Sequence, residues 1–118
     1  MARFLIAIHE HEAGYAKSDP DERRQLWRRH DEFVAALSPL GIQVLWSEAL
    51  GPRSASVHLR TDGPVPALID DPLPRKAARL GGFYLIEAPD RDAAVEAAGM
   101  CPVEHGYVEV RPVVLANT

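Results

Sequence analysis

Residues 3–9 are apolar in both phases of a period of two: Phe4, Ile6 and Ile8 in one, Leu5 and Ala7 in the other. A strand covered on both faces carries this pattern, which predicts a central place in a sheet. His9-Glu10-His11-Glu12 then leads into an expected turn around Gly14. From residue 19 the period becomes helical. Asp19 suits an N-cap, Pro20 the first helical position, and Glu22 completes a capping-box spacing. Leu26, His30, Phe33, Val34, Leu37 and Leu40 fall on one stripe, while Arg24, Arg28, Asp31, Glu32 and Ala35 face away. Pro39 and Gly41 close this helix.

Residues 42–49 and 54–60 read as two further strands joined through Gly51-Pro52. In the second, Ala55, Val57 and Leu59 alternate with Ser54, Ser56, His58 and Arg60, giving one apolar and one polar face. Residues 61–76 contain Pro64, Pro66, Pro72 and Pro74, so they are expected to be loop with a short strand at 67–69. Leu80-Gly81-Gly82 opens a strong strand over 83–88. Asp90 caps a second helix at 91–100, rich in alanine and stopped by Gly99 and Pro102. A last strand follows at 107–111.

The order β-α-β-β-loop-β-α-β predicts an α+β domain of the ferredoxin-like split βαβ type. Two helices cover one face of such a sheet. The other is expected to carry Leu5, Ala7, Leu85, Ser56, His58, Arg60, Tyr107, Glu109 and Arg111. That face is too apolar to leave wet and too polar for an ordinary core. A second copy packed on it gives a homodimer, a closed dimeric α+β barrel with a partly polar interior.

Composition narrows the picture. The 118 residues suit a single domain over 1–118, and 47% hydrophobic with 25% charged residues is ordinary globular composition. A formal net charge of −4 argues against nucleic acid as a partner. The apolar run from Phe4 to Ile8 is too short to span a membrane, and one cysteine, Cys101, forms no internal disulfide; a cytoplasmic location is expected.

Among candidate chemical groups, His30 stands in the middle of an apolar stripe. Burial favours its neutral form, and a carboxylate from Asp70 or Asp71 would return its pKa toward working pH as an acid–base pair. The plainer alternative is a core histidine bound to a backbone carbonyl. His58 and Arg60, with Glu109 and Arg111, are candidates for lining the barrel interior and holding an anionic ligand, against a cross-strand ion-pair ladder, and Asp71 is a further candidate ligand-binding residue. His9-x-His11 has the spacing of two ligands on one strand face, but no third ligand follows by spacing, so no metal is expected. Cys101 has no neighbouring histidine and reads as a quiet thiol. No nucleotide loop, triad or zinc spacing is present, and no cofactor is expected.

Leu80-Gly81-Gly82-Phe83-Tyr84-Leu85-Ile86-Glu87-Ala88, then 90–98, Cys101-Pro102 and Val108-Glu109-Val110-Arg111-Pro112, resemble the YCII-related family in its DGPF branch. Residues 4–8 and the helix up to Leu40-Gly41 fit as well. The resemblance implies a dimeric α+β barrel. It also implies a histidine–aspartate cleft, with the helix histidine at His30. Where the branch has Asp-Gly-Pro-Phe, this chain has Asp70-Asp71-Pro72-Leu73, and where an aspartate is common after the second helix, Cys101 stands. Three readings stay open: a small-molecule-binding barrel with acid–base chemistry at His30 and Asp70, a non-catalytic accessory or regulatory dimerisation domain, and a metal site at His9 and His11.

Overall fold

The computed structural model describes residues 1–13 and 19–115; the turn expected around Gly14 lies outside them. Strand β1 (Ala2–Glu10) is followed by helix α1 (Pro20–Leu37), whose Asp19 cap accepts from the Glu22 amide at 2.8 Å. A 3₁₀ turn (Ser38–Leu40) ends on Gly41, which adopts φ 77°, the left-handed geometry that suits glycine at a helix end. Strand β2 (Gln43–Ala49) follows, then β3 (His58–Arg60), β4 (Ala67–Ile69) and β5 (Arg79–Ala88). Helix α2 (Arg91–Ala98) starts on Asp90, which accepts from the Ala93 amide at 2.8 Å, and leads to β6 (Gly106–Pro112).

The main sheet runs β2-β5-β1-β6, with each neighbouring pair antiparallel. With β3 and β4 set aside, this is the strand order of a ferredoxin-like fold, with β1 and β5 central. Phe4 lies opposite Ile86, and Ile6 lies between Tyr84 and Val110. Alternation therefore puts Phe4, Ile6, Ile8, Tyr84, Ile86 and Ala88 on one face, where they form the core with Phe33 and Leu37 of α1 and Ala94, Ala97 and Ala98 of α2. Small alanines let α2 lie close to the strands.

One expected pairing is corrected. Residues 42–49 do not form a hairpin with 54–60: β2 pairs with β5, and β3 pairs with β4 in a separate two-stranded ribbon. Residues after Pro52 coil into a 3₁₀ turn (Arg53–Ala55) instead of extending, because Pro52 cannot donate to a ladder and Ala55 closes back onto its carbonyl at 2.9 Å. The inner hairpin of the fold is thus β2 with β5, and residues 50–78 are an arm inserted between them. His58 and Arg60 consequently stand on the arm, not on the sheet face. Leu40, placed on the helical stripe, is exposed beyond the end of α1, and α2 stops at Ala98.

The uncovered face of the sheet carries Leu5, Ala7 and His9 of β1, Phe83, Leu85 and Glu87 of β5, and Tyr107, Glu109 and Arg111 of β6. A register shift at Leu45 turns Trp46 onto the same face beside Leu85, where it is 62% exposed.

Candidate functional site

A cleft of 690 Å³ opens at one end of the sheet, between α1 and the β2–β5 hairpin. Helix α1 contributes Arg23, Leu26, Trp27 and His30, on successive turns of one face. Residues 47–52 and 79–84 form the opposite wall, and Ile8, Glu10 and Glu12 the floor. Apolar atoms supply most of the surface, and Glu10, Glu12, Arg23, Glu48 and Arg79 bring charge to the lining. Gly81 allows close approach: a Cβ there would fall onto the Glu10 carboxylate.

His30 is half-buried, and its Nδ1 is 2.8 Å from the Tyr84 hydroxyl. The two rings stack at 5.9 Å with an 18° interplanar angle, while Trp27 flanks the imidazole at 6.4 Å. Phe33 meets Tyr84 edge-on at 5.1 Å, so the tyrosine ring is fixed from both sides. Burial, reinforced by the Arg29 charge, lowers the His30 pKa from 6.5 against a smaller opposing pull from Asp31. Burial also pushes the Tyr84 hydroxyl up to about 12. At neutral pH the pair is therefore an uncharged imidazole against an uncharged phenol.

The carboxylates expected beside His30 stand elsewhere. Asp70 is exposed and is not among the cleft-lining residues. Asp71 is the hub of a charge cluster at the root of the arm. Its Oδ1 accepts from the Leu73 amide at 2.9 Å, and its Oδ2 from Arg79 Nε at 3.0 Å. Arg53 Nε lies 4.0 Å and His58 Nε2 3.8 Å away. The Leu73 amide first, then Arg79 and the charge of His58, hold the Asp71 carboxyl below the usual carboxylate range. Arg79 is only 10% exposed and also donates to the carbonyls of Leu73, Pro74, Arg75 and Ala77, so its whole guanidinium is spent within the chain. Of the four expected ligand-binding residues, His58 and Asp71 meet in this cluster. Arg60 is exposed on the arm, and Arg111 lies across the sheet, where it binds Glu109 at 2.9 Å.

His9 stacks on Tyr107 at 4.9 Å, and its Nε2 is 2.9 Å from Glu109. His11 instead places Nδ1 3.2 Å from the Lys76 carbonyl. Among the described residues no three His, Cys, Asp or Glu side chains converge on one point. Cys101 is buried against α1 and the sheet, and burial raises its thiol to about 12.

The family model of the YCII-related domain matches residues 2–117. The chain belongs to the YCII-related family. No curated protein matches it. In this YCII-related domain, no described helix is long and apolar enough to cross a membrane.

Sequence reasoning singled out His30 but missed its partner. Tyr84 was readable in principle. It falls in the same alternation phase as Ile86 and Ala88, so its hydroxyl had to find a polar group at the α1 interface, and His30 is the polar member of the α1 stripe.

Proposed function

We propose that this YCII-related domain, a member of its DGPF branch, binds a small and largely apolar molecule in the cleft and that His30 exchanges a proton with it. The observation carrying this reading is an imidazole kept neutral by burial, anchored at 2.8 Å to the Tyr84 hydroxyl, on the wall of a 690 Å³ cleft. With Nδ1–H donating to the Tyr84 oxygen, Nε2 keeps its lone pair and serves as a base. When it takes a proton, the Nδ1–H bond to tyrosine strengthens as the ring gains charge. The partner of His30 in this reading is Tyr84, not Asp70, and it orients the ring while His30 alone takes the proton. The uncovered sheet face is closed by a second copy, in a homodimeric α+β barrel.

The test is protein-observed NMR with a library of small neutral heteroaromatic fragments. Hits should shift the Trp27 indole and the Gly81 and Gly82 amides. A His30→Gln variant should keep its fold and lose those hits. Fragments that ignore the cleft, or bind the variant unchanged, would overturn the proposal.

A second reading, an accessory dimerisation domain without chemistry, is favoured by the extent of exposed apolar surface outside the cleft. It requires a cleft that takes no fragment.

A further inference from the structure

The arm between β2 and β5 is poorly explained by a single copy. Strands β3 and β4 have three residues each and pack chiefly on one another. A two-stranded ribbon of that size is marginal in water on its own. Its register sets Leu59 directly opposite Leu68, and these side chains are 54% and 75% exposed. Val57 and Val65 beside them are also exposed. The root is held, by Arg79 and Asp71, but the apolar pair is left in water.

The size of the molecule agrees. It is a plate of 47 × 46 × 18 Å with a radius of gyration of 16.3 Å, where a compact chain of this length has about 13.5 Å. It exposes 8385 Å², roughly 2,000 Å² more than a compact monomer of its mass. Homodimer interfaces that are permanent bury about 2,000–5,000 Å² over both partners. The surplus surface on two copies is of that size. The Leu59–Leu68 pair stands on a separate ribbon and not on that sheet, so a face-to-face pairing of the sheets does not by itself account for it.

We propose that the β3–β4 arm clasps a second copy of this chain, laying Leu59 and Leu68 against the partner outside the sheet-to-sheet contact. This rests on the dimer reading above, and it assigns to the arm a part of the interface that the sheet face does not supply. Ordering the ribbon and forming the dimer are then one event.

Sedimentation equilibrium of the wild type and of a Leu59→Ser, Leu68→Ser variant tests it. A dimeric wild type and a variant whose dimer dissociates at least about tenfold more readily, with the helical far-UV circular dichroism signal retained, is the expected result. A dimeric wild type with an unchanged variant would overturn the arm and leave the dimer standing. A monomeric wild type would remove both. Amide exchange gives a second readout: protection at 58–60 and 67–69 should fall on dilution into the monomer range, and protection independent of concentration would contradict the clasp.

Discussion

His30 of α1 and Tyr84 of β5 face each other across the helix–sheet interface, with the imidazole Nδ1 2.8 Å from the phenol oxygen. Each satisfies a polar group that the interface would otherwise strand, and together they form the polar end of an apolar seam. Tyr84→Phe removes only the hydroxyl. Unfolding free energy should fall by about 1 kcal/mol, as for a typical internal hydrogen bond, and fragment affinity in the cleft should fall with it. Chemical denaturation at pH 7 checks the first and NMR titration the second.

The same pair sets a pH dependence. Because folding lowers the His30 pKa below 6.5, the unfolded chain binds a proton that the folded chain refuses in the window just below that value. Stability is therefore fully present above pH 6.5 and is lost as pH falls through the folded value. The depressed carboxylates Asp71 and Glu109 act the same way but lower, beneath their ordinary 3.8 and 4.5. Denaturation midpoints should decline in two stages on acidification. A His30→Gln variant should lose the upper stage and keep the lower.

The start of β6 allows no side chain. A Cβ on Gly106 would overlap the His9 carbonyl oxygen of β1, and backbone cannot move aside as a flexible side chain can. Gly106→Ala should cost about 1–3 kcal/mol, while Gly51→Ala, with open space around it, should cost far less. Paired thermal melts distinguish them.

Cys101 should be inert. With its thiol raised to about 12 and 8% exposed, little thiolate exists at pH 8. Iodoacetamide should label the folded protein far more slowly than the same protein in denaturant. Equal rates would show that the residue is accessible.

Much of the fold was legible because its signals are local. The double-phase apolar run of β1, the Asp19 and Asp90 caps, and the alternation at 83–88 and 107–111 each depend on neighbours a few residues away. The failure lay in strand pairing, which is not local. Gly51-Pro52 looks like a hairpin turn, and Ala55, Val57 and Leu59 alternate as a half-buried strand would. Alternation reports only that one face is apolar, not what covers it. β2 found its partner across the arm, in β5. The site followed the same division. His30 was visible on its helical stripe, whereas the Tyr84 contact spans 54 residues and required knowing which face of β5 meets α1. Asp70 and Asp71 were candidates for His30 because a long loop carries them, but Asp71 is held at the arm root by Arg79 and the Leu73 amide.

The most direct measurement is the titration of the His30 ring by NMR, alone and with a fragment that shifts the Trp27 indole and the Gly81 and Gly82 amides. A ring that titrates below 6.5 in the free protein, and whose titration moves when the fragment occupies the cleft, is expected of a neutral base facing a bound molecule. A ring that titrates at or above 6.5, or that is unmoved by fragments perturbing the cleft amides, would contradict it.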